Sequence, residues 1–534
     1  MDFGFWAVVP PLLTIVLAII TKEVLLSLFI GVFTGCMILE SWNPLAAMEA
    51  MIQILIGSYD EEENVIVGVL TEPWNVQVLI ICLMLGGLIG LLVRSGGSKA
   101  FGEMLAKKIK TRKGTQGMTW LIGILIFFDD YFNALTNGAI MRPISDRYQI
   151  SREKLSYIID STAVGICLIV PLSSWVAFIC SLIAEACGNA GIEGDSFAIF
   201  IRSIPYNYYA WLSIFMVLMV VYFSLDFGPM AKAEKRTLET GVLCDKTFSG
   251  GASDEDDFSS IEQKSGKAVD MLAPILLLFA LALIFAVYTG GYFESYDLID
   301  SFNEMDGMLA LTYAIGIAVV FAIIFYAFRK LSKISESISA FVTGTKSMIF
   351  VFILLAFAWS IGSISDELGT AEYLVDIMVG NVPGSVVPFL IFLVSCIMTF
   401  ATGASWGTYA IMIPLAVPLA VAMDVNVFVC ITAVIGGGGF GNHCSPLADT
   451  AILSSASSNI RHTDHIKTQI PYSVTCACVA SVGYLISGLL GVDSSPLIPI
   501  IVIAILFVAV VFVLNKLFGH GSNHAVASSA GGAE

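Results

Sequence analysis

The chain predicts an all-α polytopic membrane fold, and three observations carry that prediction: its composition, the spacing of its apolar runs and the polar islands inside them. A chain of 534 residues that is 57% hydrophobic and 13% charged has too little polar surface for a soluble globule of that size. Apolar runs of about 18 to 20 residues, the length an α-helix needs to cross the hydrocarbon core, recur along its whole length. The most telling island is FFDDYFNALTN, residues 127–137, where Asp129 and Asp130 sit side by side in an apolar segment. A carboxylate at bilayer depth costs about 2.5 to 3.5 kcal/mol even on lenient insertion scales, so this pair marks a site.

Taken in order, the first run covers residues 5–20 behind no basic residue, which reads as a retained helix and not a cleaved signal. Lysine and arginine in short loops favour the cytoplasm, and 25 of the 26 basic residues fall in clusters: Lys22, 94–113, 142–154, 232–267, 329–346, Arg461 with Lys467, and Lys516. The connections between them are acidic (60–63, 193–195, 294–306, 366–376, Asp424 and Asp493) and are assigned outside. About eleven crossings then put the amino terminus outside and the carboxyl terminus inside. Residues 118–141 are flanked by basic loops on both sides, so this stretch is expected to enter and return as a re-entrant hairpin with its turn at 129–137. Residues 46–56 read as an interfacial helix, 226–268 as a disordered cytoplasmic linker, 497–518 as an additional crossing and 519–534 as a flexible tail. The 11 cysteines are mostly single residues within apolar runs, without the paired spacing of a disulfide framework. The net charge of −17 is spread over loops on both sides and points to no charged partner such as nucleic acid.

Residues 269–491 echo residues 1–225. Ala139-Ile140-Met141-Arg142-Pro143 aligns with Ala410-Ile411-Met412-Ile413-Pro414, and Thr162-Ala163-Val164 with Thr432-Ala433-Val434, at offsets of 271 and 270. Pro171-Leu172 answers Pro446-Leu447 once an insertion of five, filled by Gly436, Gly437, Gly438 and Gly439, is allowed. With the sidedness above, the halves are inverted: a hairpin at 118–141 and a broken helix at 155–186 face a hairpin at 386–423 and a broken helix at 427–455. Inverted repeats with discontinuous helices are the architecture of secondary transporters, which bind cargo near the midplane between the repeats.

Four polar breaks carry candidate chemistry. The hairpin tip offers Asp129, Asp130, Asn133 and Asn137; its counterpart offers Thr402, Ser405 and Thr408. Pro171 frees a helix carbonyl beside Ser173 and Ser174. The run GGGGFGNHCSPLADT is expected to unwind at its glycines and to present Asn442, His443, Ser445, Asp449 and Thr450. Carboxylates, hydroxyls, amides and freed carbonyls are ligands for a hard cation, so the metal expected is Na⁺, held by Asp129, Asp130 and Asp449. A proton competes for a desolvated carboxylate, so one aspartate that alternates between Na⁺ and H⁺ is enough for antiport. Bland roles stand beside these: a helix cap for Asp129 or Asp130, a structural histidine for His443, and hydroxyl-to-carbonyl bonds for Thr402, Ser405 and Thr408. Asp160 is a secondary candidate that equally suits an ion pair with Arg142 or Lys154. The Gly86-Gly87 and Gly90 spacing reads as helix packing.

The motifs FFDDY, NGAIMRPISDR, REKLSYIIDST, TGASWGT and HCSPLADTAILSS resemble those of the NhaC-type sodium/proton antiporters of the ion-transporter superfamily, in order and over residues 76–488. The resemblance implies two inverted repeats forming a transport domain beside a scaffold, homodimers, and an elevator motion. It places Asp129, Asp130 and Asn133 in the family's first motif, and His443, Ser445, Asp449 and Thr450 in its last. Asn442 departs from the GDHCSP pattern of relatives, which puts the number of ions bound, or the cargo itself, in question. Members also resemble malate/lactate exchangers and amino-acid carriers.

The expected function is therefore exchange of Na⁺ for H⁺ by a multi-pass protein of the prokaryotic plasma membrane. A Na⁺- or H⁺-coupled carrier of a small organic acid or amino acid is the alternative. The ions are cargo and no resident cofactor is expected; the partners are the bilayer and a second copy of the chain. A hydrolase is disfavoured, since adjacent aspartates diverge on a helix and DDYFN lacks the third acid of a DDxxD metal motif.

Overall fold

Helices make up nearly all of the computed structural model. It describes residues 3–519 other than 22, 60–64, 107–108, 172, 193, 245–260, 262, 296–300, 302–305, 347, 371–372, 374–381, 404, 447 and 493–494. The strands among the described residues are one two-residue antiparallel pair, Ser58–Tyr59 with Val65–Ile66. Ten of the described helices are long and apolar enough to cross a membrane, or eleven if a pair bent by 117° counts as one span.

In chain order, α1 (Val9–Thr21), α2 (Val24–Leu39), α3 (Pro44–Ile56), α4 (Pro73–Ser95) and α5 (Gly97–Ala106) precede a four-helix unit. That unit is α6 (Arg112–Leu125), α7 (Asp130–Arg147), α8 (Arg152–Cys167) and α9 (Ser174–Asn189). Next come α10 (Ser196–Ser203), α11 (Tyr208–Phe223), α12 (Gly228–Thr240), α13 (Ala268–Thr289), α14 (Gly307–Phe328), α15 (Ile334–Lys346) and α16 (Ile349–Glu367). A second four-helix unit follows: α17 (Val387–Thr402), α18 (Ser405–Ala422), α19 (Val427–Cys444) and α20 (Asp449–Ser458). The described chain ends in α21 (His462–Leu490) and α22 (Leu497–Phe518).

The two units share one register. Helices α6 to α9 begin at residues 112, 130, 152 and 174, and α17 to α20 begin at 387, 405, 427 and 449, each 275 residues later. Their caps obey the same spacing: Ser151 Oγ accepts from Lys154 N at the start of α8, and Asn426 Oδ1 accepts from Phe428 N at the start of α19. The offsets of 270 and 271 found in short words are thus four or five residues off. A slip of four is close to one helical turn and returns the same face, which accounts for the offset of 271. The offset of 270, a slip of five, turns the face by about 140° and is a chance match of a short apolar word. Pro171-Leu172 and Pro446-Leu447 fall on the structural register with no insertion. The units also pack reciprocally, α7 against α20 and α9 against α18.

The expected unwinding at the glycine run is corrected. Gly436, Gly437, Gly438 and Gly439 are helical within α19, and the break lies after them, at residues 445–448. What these glycines provide is close approach. A Cβ on Gly437 would meet Phe392 O at 2.8 Å, and one on Gly441 would meet Phe400 N at 2.7 Å, so α17 lies directly on α19. Gly86 packs the same way against Gly344 O of α15, at 2.5 Å from an added Cβ, as its spacing suggested.

The stretch read as a linker is also corrected over its first third. Residues 226–240 are held by α12: Asp226 and Glu234 are buried, and both pair with the buried Lys154, at 2.7 and 3.5 Å. Arg236 pairs with Glu153 at 2.9 Å and Arg112 with Glu234. Charges this deep need partners, so the acids that made the segment look solvated are what anchor it. Residues 245–260 of the expected linker and 520–534 of the expected tail lie outside the described residues.

Basic and acidic loops sort to opposite ends of α4. At one end Arg94 pairs with Glu336 at 2.7 Å, and Lys264 N donates to Arg94 O. At the other, Glu72, Glu185, Asp195 and Asp306 line a cavity of about 570 Å³.

Gly441→Leu forces α17 away from α19 and is expected to cost about 1 to 3 kcal/mol. Gly188→Leu, at a position where an added Cβ meets nothing within 4 Å, serves as the control. Thermal unfolding in detergent checks this: the midpoint falls by several degrees in Gly441→Leu and holds in Gly188→Leu.

Candidate functional site

The first break, residues 126–129, separates two helices that run antiparallel. Asn133 Nδ2 donates to Gly123 O at 2.7 Å and Ile126 O at 3.0 Å, and Asn137 Nδ2 donates to Thr119 O at 3.0 Å. The last carbonyls of a helix have no intrahelical donor, and Asn133 supplies one to Gly123. Asn133 and Asn137, expected in the turn at 129–137, instead lie inside α7 and lash it to α6. Asp129 and Asp130 are both buried. Asp130 opens α7; its Oδ1 accepts from Trp175 Nε1 at 3.1 Å, and its buried Oδ2 has no hydrogen-bond partner.

At the second break, Ser405 opens α18 in the position that Asp130 holds in the first unit. Its hydroxyl donates to Gly438 O at 3.2 Å and accepts from Asn442 Nδ2 at 3.1 Å. Thr402 donates to Met398 O at 3.0 Å, the bland role, and Thr408 accepts from Thr399 at 2.6 Å.

At the third break, Ser173 Oγ donates to Cys167 O at 2.7 Å and Cys167 Sγ to Phe127 O at 3.1 Å, which joins this break to the first. Ser174 opens α9. At the fourth, Asn442 and His443 occupy the last turn of α19. Asn442 Oδ1 accepts from Thr450 Oγ1, and His443 Nδ1 shares a hydrogen bond with Tyr209 OH at 2.8 Å. Ser445 is the buried C-cap residue, and Asp449, exposed at the start of α20, accepts from Tyr131 OH at 3.1 Å.

These contacts bring the four breaks into one cluster. Trp175 touches Asp130 and packs at a tilt against Trp406, ring centroids 5.1 Å apart; Tyr131 reaches Asp449; Ser405, Asn442 and Thr450 form a chain. The N-termini of α7, α9, α18 and α20 all meet there, each with a partial positive charge, and Asp129 and Asp130 are the buried carboxylates that face them. The three-acid cage expected from Asp129, Asp130 and Asp449 is not assembled: among the described residues no three acids, histidines or cysteines are grouped to hold a metal ion.

Asp160 belongs to neither of its expected ion pairs. Lys154 is taken by Asp226 and Glu234, and Arg142 Nη1 donates to Ser457 O at 3.2 Å. Asp160, fully buried, instead accepts from Ser454 Oγ at 3.2 Å and from the Gln469 amide, with His465 Nε2 at 3.5 Å. Sequence reasoning missed Trp175, Tyr209, His465 and Gln469. The first follows the serine pair of the third break directly, a usable signal. The others lie far from any break in the chain, and His465 and Gln469 sit beside Arg461 and Lys467, where they read as loop residues.

The Na⁺/H⁺ antiporter family model matches residues 165–489. An uncharacterised protein of Haemophilus influenzae is 33% identical over 499 residues, 91% of this chain and 92% of its own. A malate-2H⁺/Na⁺-lactate antiporter of Bacillus subtilis is 25% identical over 123 residues, 20% of this chain and 26% of its own. Among solved structures, the YdaH transporter of Alcanivorax borkumensis aligns over 85% of this chain and 98% of its own, with a TM-score of 0.52 at 13% identity, a likeness of fold.

Ser405→Ala leaves Asn442 Nδ2 buried without its acceptor and is expected to cost about 1 to 3 kcal/mol. Thr402→Ala, which removes a hydroxyl that donates to Met398 O one turn back in its own helix, is expected to cost less. Paired thermal melts in detergent rank the two.

Proposed function

We propose, for a chain that belongs to the Na⁺/H⁺ antiporter family, that it exchanges Na⁺ for H⁺ with the four-break cluster as its ion site. That it is a multi-pass membrane transporter follows from family and fold together. The observation that carries the finer reading is Asp130: a buried carboxylate with one oxygen on Trp175 and the other without a partner. A buried anionic oxygen in that condition calls for a cation. Na⁺ takes oxygen ligands, and Asp129 with Asp130 supplies them beside the Ser405–Asn442–Thr450 chain.

The shared register of 275 and the reciprocal packing support two repeats. The segregation of basic and acidic loops supports their inversion, with the α6–α7 pair opening from the cytoplasm, the α17–α18 pair from outside, the amino terminus outside and the carboxyl terminus inside. We place the chain in the prokaryotic plasma membrane as a homodimer whose two four-helix units move as an elevator against α4, α13, α14 and α15.

A second reading has its own support. Four helix N-termini meeting at one point favour an anion, so a small carboxylate is an alternative cargo, coupled to Na⁺ at the aspartates. The malate-2H⁺/Na⁺-lactate antiporter among the relatives is in keeping with it.

Proteoliposomes loaded with a pH dye decide between them. A Na⁺ gradient is expected to drive proton movement through the unaltered chain, and Asp130→Asn to reduce it to the rate of empty vesicles. If Na⁺ moves no protons through the unaltered chain, exchange of Na⁺ for H⁺ is wrong, and uptake of small carboxylates under a Na⁺ gradient tests the second reading.

A further inference from the structure

We propose that the exchanged proton rides on the Asp160–His465 pair, a centre separate from the break cluster, and reaches it through His462. The proposal rests on the Na⁺/H⁺ reading and divides its two ions between two places.

Asp160 on α8 is fully buried, and among the described residues no lysine or arginine pairs with it. A buried carboxylate in that position has to hold a proton or share one with a neighbour that carries charge. The neighbour is His465 on α21, itself fully buried, with Nε2 3.5 Å from Asp160 Oδ2 and Nδ1 without a hydrogen-bond partner. Gln469 braces the carboxylate from the same helix, its amide donating to Asp160 and, at 2.8 Å, to His443 O; its Oε1 is buried and without a partner. From α20 the contact is a hydroxyl, Ser454. From α19 the facing titratable groups are His443, whose Nδ1 is engaged by Tyr209, and Cys444. The feature that marks this centre for a proton is its imidazole: His465 beside the carboxylate is a proton carrier and a poor ligand for a hard cation.

A way in exists on the same helix. His462 opens α21 and is half-buried; its Nδ1 shares a hydrogen bond with Ser455 Oγ at 3.1 Å, its Nε2 lies 2.9 Å from Pro446 O, and its ring is 6.5 Å from that of His465. Arg461, one residue before it, pairs with Asp464 at 2.6 Å at the basic-loop end of the protein. A proton taken from water by His462 passes to His465 when the two rings, 6.5 Å apart and not hydrogen-bonded to each other, reorient. His465 Nε2 gives it to Asp160 Oδ2 once their 3.5 Å separation closes to a hydrogen bond. The reverse sequence returns one proton for each one taken. Imidazole is the side chain whose ordinary titration range spans neutral pH, which suits a group that must load and unload in each cycle.

The test compares His465→Gln with Asp130→Asn and the unaltered chain, reading ²²Na⁺ binding in detergent and Na⁺-driven proton movement in proteoliposomes. His465→Gln is expected to bind Na⁺ as the unaltered chain does while its proton movement falls by about a hundredfold. The pH profile of the residual rate is expected to differ from that of the unaltered chain. Asp130→Asn is expected to lose Na⁺ binding. Full proton movement with an unaltered pH profile in His465→Gln overturns the proposal and leaves exchange standing. No proton movement in the unaltered chain overturns exchange and the proposal with it. Retained Na⁺ binding reports that the variant is folded; if His465→Gln does not fold, Asp160→Asn, which keeps an acceptor for Ser454 and Gln469, is read by the same two outcomes.

Discussion

A helix broken inside a membrane leaves backbone carbonyls and amides without partners, and lipid offers none. Every other feature of the site depends on how this chain meets that constraint. It gathers its four breaks together and satisfies them with one another's side chains. Asn133 closes the end of α6, Ser173 closes the end of α8, and Ser405 reaches the Gly438 carbonyl within its own unit. Between the units, Tyr131 donates to Asp449 and Trp175 packs against Trp406, so the two units pack as one body.

That body is symmetric in backbone and asymmetric in charge. At the first residue of α7 and its counterpart in α18, one unit has Asp130 and the other Ser405. Four positive helix ends surround the pair. The carboxylate half suits a cation and the hydroxyl half a hydrogen-bonded neighbour. The buried Lys154–Asp226–Glu234 group, with Arg112 on Glu234, sets two bases against its two acids and fixes α12 to α8.

Much of this was legible in residue order. The long apolar runs, the polar islands at Asp129 and Ser405, and the break before Ser174 follow from hydrophobicity and proline chemistry alone. The glycine run misled because glycine serves two purposes, freeing a backbone and letting another helix approach, and only packing against Phe392 and Thr399 shows which. The repeat offset was missed by four residues at one word because helical periodicity tolerates that slip, and by five at the other because short apolar words recur by chance. The acids of α12 looked solvated because their partners, Lys154 and Arg112, lie over 70 residues away in the chain. For Asp160 the nearest bases in sequence were natural partners, whereas its real neighbours, His465 and Gln469, arrive from a helix some 300 residues on.

The four breaks are proposed to form one cation site with Asp130 as its anchor. The most direct measurement is a cryo-EM map of the protein in lipid nanodiscs at saturating Na⁺, compared with one in which choline replaces Na⁺. Density in contact with Asp130 Oδ2 in the Na⁺ map alone is the predicted result. Sodium-dependent density at Asp160 or in the acidic cavity near Glu185, with none among the breaks, would contradict it.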